Sequence, residues 1–175
     1  MVQNNGANGG GSSSREFGIT FEIEPPTAVR PGTPFTLPVV VAVRPVGNPV
    51  DPAVQQMVAH ASLRSETGAA AATGLAGTLT SSVRSRHGNT TSGFAKFSPL
   101  SIAQPGRYRI RVMLGAASHS GVTTKEYVDS GVIHVHAGAA AAQRPTPLQI
   151  SKLQSMTAEN IDITPADIAA WQRAA

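Results

Sequence analysis

Six of the 14 basic residues lie between positions 84 and 111, a stretch without Asp or Glu. They are Arg84, Arg86, Lys96, Arg107, Arg109 and Arg111. Such a block could contact nucleic-acid phosphates, because each neutralised phosphate releases counterions. Arg86 and Asn89 also have side chains suited to guanine and adenine edges. The alternative is that the arginines only solvate the outer face of a sheet.

A second pattern is the pair His134 and His136, whose spacing places two imidazoles on one face of a strand. Two such rings can ligate a metal ion, but a complete site needs further ligands, and the sequence suggests none nearby. Strand histidines without a metal are the more frequent outcome. We therefore expect neither a metal ion nor another cofactor.

Signs of catalysis are weak along the chain. Cysteine is absent, which excludes disulfides, thiolate metal sites and cysteine nucleophiles. No serine lies in a Gly-x-Ser-x-Gly elbow, and no glycine-rich phosphate loop joins a strand to a helix. His119 beside Ser120 is best explained as a polar turn. We expect the protein not to be an enzyme.

A single domain must position these residues, because 175 residues of 18.0 kDa suffice for one core with tails. Charged residues make up only 14%, and the 17 glycines and 13 prolines favour short strands and loops over long helices. The net charge of +4 permits an anionic partner. No signal peptide or membrane anchor is legible at the N-terminus, which predicts an intracellular protein without membrane contact.

Apolar alternation predicts a series of short strands after a tail rich in Asn, Gly and Ser at residues 1–15. The predicted strands are residues 17–23, 35–43, 75–83, 94–97, 107–114 and 128–136. Residues 54–63 fit a helical face or a strand, and we favour a strand from Met57. In residues 107–114 the apolar face is expected to be buried and the arginines exposed.

Two C-terminal helices are predicted beyond the alanine-rich linker at 139–142. Thr146-Pro147 and Thr164-Pro165 each match an N-cap followed by proline at the first helical position. Between them, Ile161 and Ile163 are expected to be extended. Trp171 is the only tryptophan and a candidate partner-binding residue, with packing inside the domain as the alternative.

This order of elements predicts a mainly β fold, an immunoglobulin-like antiparallel β-sandwich at residues 16–163 with a helix at 164–175. Several residues also occur in a characteristic order. They are Leu75, Gly77, Gly93, Phe94, Phe97, Leu100, Ser101, Ile102, Gly106, Tyr108, Arg109, Ile110, Arg111, Ser130, Ile133, Val135, Thr146, Leu148, Leu153, Ile161 and Ile163. In this order and spacing, about half of the chain resembles the velvet domain of fungal regulatory proteins.

The resemblance implies a Rel-homology-like sandwich that dimerises with itself or with another velvet protein. It also implies a protein of the nucleus and cytoplasm that binds DNA in the nucleus and controls fungal development, sporulation and secondary metabolism. The family's basic first loop is represented here by Arg30 alone, and its lysine-rich segment after the closing strand is replaced by alanines. The alternative is an immunoglobulin-like protein-interaction module that has lost DNA binding.

Overall fold

The computed structural model describes residues 17–45, 56–84, 92–118, 121–159 and 161–173, and this part of the chain is mainly β. Its strands are β1 (Phe17–Ile23), β2 (Ala28–Val29), β3 (Val39–Pro45), β4 (Gln56–Ser65), β5 (Leu75–Gly77), β6 (Thr80–Ser82), β7 (Gly93–Phe97), β8 (Leu100–Ile102), β9 (Gly106–Ser118), β10 (Gly121–Asp129) and β11 (Ile133–Val135). Its helices are α1 (Pro147–Met156) and α2 (Pro165–Arg173). The predicted tail and Arg86 lie outside the described residues.

The strands form three sheets. The three-stranded sheet has the order β1-β3-β7, and β5 pairs with β8 in a separate ribbon. The six-stranded sheet has the order β2-β11-β9-β4-β6, with β10 added along β9. All pairings are antiparallel except that of β2 with β11. The long β9 joins the six-stranded sheet, because β4 pairs along one side of it and β11 and β10 share the other.

The inner faces of the two larger sheets share one hydrophobic cluster. Alternate residues of each strand enter it, as the period of two requires. The six-stranded sheet contributes Met57, Ala59, Ala61, Leu63, Ile110, Val112, Leu114, Ile133 and Val135, and the three-stranded sheet contributes Phe17, Ile19, Val39, Val41, Val43, Ala95 and Phe97. The predicted strand from Met57 is therefore confirmed, and the helical alternative for residues 54–63 is wrong where the structure describes them.

The outer face of the three-stranded sheet is covered by the two helices. Val40 lies on this face with Leu153 of α1 and Ile168 of α2, in a second buried cluster. A β-bulge between Phe21 and Ile23 brings Ile23 into the same cluster, because an extra residue reverses the alternation of side chains along the strand. The chain thus forms three layers, with the helices on one side only.

Both helix caps were predicted correctly. Thr146 Oγ1 accepts a hydrogen bond from the Gln149 backbone at 3.1 Å, and Gln149 Oε1 accepts one from the Thr146 backbone at 2.9 Å. Thr164 and Asp167 make the same reciprocal pair at 3.1 and 3.0 Å. Each capping box satisfies backbone donors that the first turn of a helix leaves unpaired. Neither described helix is long and apolar enough to cross a lipid bilayer.

Four predicted segments were wrong in detail. Of the strand predicted at 35–43, only the part from Val39 belongs to a strand, β3, and residues 35–38 precede it. The single strand at 75–83 is divided between β5 and β6, which belong to different sheets. The division follows Gly77, whose φ of +118° suits glycine and where an added Cβ would collide with the Pro99 carbonyl. Residues 161–163 bend instead of extending, with Asp162 at a φ of +63°.

The predicted strand at 128–136 is also two strands, since β10 ends at Asp129 and β11 begins at Ile133. Between them, the buried Ser130 bonds twice to Ile110 of β9. Its backbone nitrogen donates to the Ile110 oxygen at 2.9 Å, and its Oγ accepts from the Ile110 nitrogen at 3.0 Å. Ser130 thus pairs with β9 although it lies outside a strand. Its hydroxyl accepts the hydrogen bond that a backbone carbonyl accepts in a regular pair of strands. The first part of β10, from Gly121, was not predicted.

Replacing Ile110 by Ala tests the register of β9. Ile110 is fully buried, so the substitution should lower the free energy of unfolding by about 2–5 kcal/mol, as measured by urea denaturation. Arg107→Ala is the matched control on the exposed face of the same strand and should change it by less than about 0.5 kcal/mol. A larger loss from Arg107→Ala would show that the faces are reversed.

Candidate basic surfaces

The basic residues predicted to form one nucleic-acid surface are distributed over three places. Arg107, Arg109 and Arg111 lie on β9, on the outer face of the six-stranded sheet; Arg84 and Lys96 lie where the end of β6 meets β7; and Arg30 follows β2. The structure therefore brings Arg84 close to Lys96 but keeps both apart from the β9 arginines. Arg86, with the neighbouring His87 and Asn89, lies outside the described residues.

Arg111 is bound within the chain on three sides. Its Nε and Nη2 donate to the two carboxylate oxygens of Asp129 at 2.7 and 3.0 Å, the fork geometry that favours arginine over lysine. Its Nη2 also lies 3.3 Å from the Gly68 carbonyl, and its guanidinium carbon lies 4.1 Å from the centre of the Tyr127 ring. The half-buried Arg111 is thus a structural contact rather than a solvated charge.

The loop after β4 is held by two more arginines. Arg109 donates from Nε to the Glu66 carbonyl at 2.6 Å and from Nη1 to the Ser130 carbonyl at 2.9 Å. Arg64 donates from Nε and Nη2 to the Gly68 carbonyl at 3.2 and 3.0 Å. Gly68 has a φ of +79°, and an added Cβ would lie 3.0 Å from Asp129 Oδ2. We call Arg64, Arg109 and Arg111 the arginine clasp.

The clasp also changes the pKa of Arg111. The hydrogen bonds that Arg111 donates to Asp129 raise the pKa of Arg111 above its ordinary value and outweigh the lowering by partial burial. A raised pKa means that the contribution of Arg111 to stability is present below the unfolded-state pKa and is lost only as the pH rises through the folded-state pKa. Arginine is charged throughout the neutral range, and the contact with Asp129 favours the charged form of Arg111 further.

Arg84 and Lys96 line a second basic site, an open pocket of about 300 Å³ whose other walls include Thr80, Ser81 and Ser82. Lys96 Nζ donates to the Asp162 carbonyl at 2.9 Å and lies 3.9 Å from its carboxylate. The backbone of Arg84 pairs with Phe94 at 2.7 and 2.8 Å, and its side chain is exposed. Asp162 also lines the pocket, so Lys96 already has an acidic neighbour there. The exposed Arg84 side chain beside the hydroxyl groups is the part of the site that can bind an anion.

The side chain of Arg30 is hydrogen-bonded within the chain, whereas Arg107 is an exposed residue of β9. Arg30 donates from Nε to the Ala139 carbonyl at 2.7 Å, which ties the turn after β2 to the linker before α1. Arg107 is exposed and lies opposite His134 in the pairing of β9 with β11. Arg107 is thus the β9 arginine that lies outside the clasp.

The rings of His134 and His136 are neighbours, with their centres 4.3 Å apart and their planes tilted by 35°. Desolvation, followed by the charge of Arg107 and then by His136, lowers the pKa of His134. No group of three or more His, Asp or Glu residues in the described part of the chain could hold a metal ion. His134 is therefore a neutral imidazole beside a fixed cation at neutral pH.

Trp171 is half-buried and packs against the second cluster, beneath the helices. This contact agrees with the packing alternative, and a role in partner binding stays a prediction. Among described large apolar side chains, Tyr127 at 51% and Leu148 at 66% are the exposed ones. Tyr127 lies on the outer face of the six-stranded sheet, which neither of the two described helices covers.

Sequence reasoning missed a further feature, an open cavity of about 740 Å³ beside the N-terminus of α1. Its walls come from residues 24–28, Leu37, residues 131–132 and residues 140–149. These segments have no common motif, and the alanines of the linker suggested only a connection between elements. Its polar lining includes Glu24, Gln143 and Arg144. Neither the types of these residues nor their spacing in the sequence indicates that they lie at one cavity.

Comparison with known proteins adds no relative from which a function could be transferred. No model of a known protein family matches the chain, and no curated protein matches it. The functional proposal therefore depends on the surfaces described above.

Replacing Arg111 by Gln tests the arginine clasp. The substitution leaves Asp129 without its charged partner, so the free energy of unfolding should fall by about 1–3 kcal/mol in urea denaturation. Arg107→Gln removes the same charge from the same strand and serves as the control. A double-mutant cycle with Asp129→Asn isolates the pair, and additivity of the two changes would contradict the coupling proposed here.

Replacing Arg107 by Gln should also raise the pKa of His134, because it removes a positive charge that disfavours the imidazolium. The measurement is the NMR titration midpoint of the His134 ring protons in both proteins. Arg173→Gln, at the end of α2, is a control that should leave the midpoint unchanged. An unchanged midpoint in the Arg107 variant would contradict this electrostatic contact.

Proposed function

We propose that the chain is a velvet-like regulatory domain that controls fungal development and secondary metabolism by dimerising and binding duplex DNA. The observation that carries the proposal is the pairing of the segments on which the resemblance rests. Leu75–Gly77 pairs with Leu100–Ile102, and the start of β9 pairs with Ile133–Val135. Segments that are far apart in the sequence thus pair with each other in the fold. We expect such pairing if these segments belong to one type of domain.

The proposed architecture is an immunoglobulin-like sandwich of the Rel-homology kind. It is supported by two mainly antiparallel sheets whose inner faces share one cluster, and by helices that follow the strands in sequence. Such a fold presents loops and sheet edges to a nucleic acid and leaves a sheet face for a second subunit. The outer face of the six-stranded sheet, which neither described helix covers and on which Tyr127 is exposed, is our candidate for that subunit contact.

Arg84 and Lys96, with Arg86 between them in sequence, are the proposed phosphate-contacting residues. Arg84 has an exposed side chain, and Lys96 lies beside it across the same pocket. Arg107 and Arg30 could extend the contact. Arg109 and Arg111 have a different proposed role, because their donors already bind the loop at 66–68 and residues 129–130. They position the surface rather than touch DNA.

The second candidate function is a protein-interaction module without DNA binding. The engagement of Arg109 and Arg111 inside the chain favours it, because it removes two cations from the predicted block. In this case the domain would act as the partner subunit of another velvet protein. The two proposals differ in one measurable property, the salt dependence of binding to duplex DNA.

The double variant Arg84→Gln, Lys96→Gln tests the DNA proposal. It should weaken binding to duplexes of different sequence by similar factors, and it should flatten the plot of log K against log salt by about 1.8 units, from ~0.9 per phosphate contact. The measurement is fluorescence anisotropy of labelled duplexes at several salt concentrations. Lys152→Gln, Arg173→Gln is the control with the same charge change on the helices.

Three outcomes separate the possibilities. An unchanged affinity and slope in the folded double variant would overturn the role of Arg84 and Lys96 in DNA binding. The absence of binding by the unaltered protein at low salt would favour the interaction module. A loss of self-association in sedimentation, with no change in DNA binding, would assign the pocket to a subunit contact.

A further inference from the structure

The cavity beside α1 has the size and lining of a small-molecule site. Its volume of about 740 Å³ lies within the range of ligand pockets. Most of its wall is apolar, and a few polar residues stand among the apolar ones. The apolar part consists of Pro25, Pro26, Ala28, Leu37, Val132, Ala140 and Ala142. It shares no lining residue with the Arg84 and Lys96 pocket, so it is independent of the proposed DNA contact.

The walls of the cavity are held in place before any ligand arrives. The linker wall is joined to the segment before β3 by two hydrogen bonds of 2.9 Å between Thr36 and Gln143. Arg30 holds the same linker at Ala139, and the capping box of α1 fixes Gln149. Because the walls are already ordered, the binding free energy of a ligand is not reduced by the entropy cost of ordering them.

Two opposite charges lie at this cavity without pairing with each other. Glu24 is exposed, and its Oε1 accepts a hydrogen bond of 3.3 Å from the Gly131 backbone, which orients the carboxylate. Arg144 is exposed on the linker wall. Among the described residues, neither forms an ion pair. One cavity thus presents both an anion and a cation to a bound molecule.

Gln143 is a further polar residue of the lining. Its Oε1 accepts from Thr36, and its Nε2 is buried without a hydrogen-bond partner among the described residues. Because that donor has no exposed surface, Gln143 holds the linker wall, and Glu24 and Arg144 are the charged groups that face a ligand.

We propose that this cavity binds a small zwitterionic ligand with an apolar body, the chemistry of a short apolar peptide with free ends. Glu24 binds the ammonium group, and Arg144 binds the carboxylate. The prolines and aliphatic side chains contact the apolar body. A purely anionic or purely cationic ligand would leave one of the two wall charges unmatched.

The test uses the full chain and isothermal titration calorimetry with the tripeptide leucyl-alanyl-proline. The free tripeptide should bind, and acetylation of its amine or amidation of its carboxylate should each weaken binding about tenfold, since each removes a charge-assisted contact. Failure of the free tripeptide to bind at millimolar concentration would overturn the proposal. Equal binding of the free and blocked forms would do so as well, because only apolar contact would remain.

Two variants assign the contacts. Glu24→Gln should abolish the preference for a free amine, and Arg144→Gln should abolish the preference for a free carboxylate. Glu66→Gln and Arg173→Gln are matched controls on exposed residues away from the cavity.

Two readouts keep the result independent of folding and of the DNA proposal. Thermal unfolding of each variant confirms that the protein is folded before titration. DNA binding by the Glu24 variant should be unchanged. If the Glu24 and Arg144 variants both retained full discrimination between free and blocked tripeptides, the assigned contacts would be wrong and the proposal overturned, whatever the outcome for DNA.

Discussion

Strand β9 is the element on which the rest of the structure depends. It pairs with β4 along one side and with β11 and β10 along the other, so the six-stranded sheet exists only through its backbone. Its inner residues Ile110, Val112 and Leu114 are fully buried. A strand satisfied on both edges and buried on one face has a single register, because a shift by one residue would exchange its apolar and charged faces.

The other face of β9 organises the loops. Arg109 and Arg111 reach the loop after β4 and the segment after β10, which the sequence separates by more than 50 residues. Their donors bind backbone carbonyls, so they satisfy polar groups that irregular chain would otherwise leave unpaired. The arginine clasp therefore connects the central strand to the surfaces at the end of the sheet. Arg84, Lys96 and Arg107 lie outside the clasp, and they are the positively charged residues that we propose for binding a partner.

The two sides of the molecule are consequently different. The three-stranded sheet is covered by α1 and α2, whereas neither described helix covers the outer face of the six-stranded sheet, on which Tyr127 is exposed. The linker that leads to α1 also forms a wall of the cavity, so one segment both places the helices and shapes a binding site. A subunit contact, an anion site and a ligand cavity can thus occupy separate surfaces of one small domain.

The sequence alone determined the features that local physics controls. The period of two identified the buried faces of β4 and β9, and the Thr-Pro pairs located both capped helices, because side-chain alternation and capping involve neighbouring residues. Tertiary structure decided the rest. Whether Arg109 is solvated or bound depends on the Glu66 and Ser130 carbonyls, and whether 128–136 is one strand depends on Ser130 meeting β9. The cavity joins four separate segments, and no local pattern records which distant groups will meet.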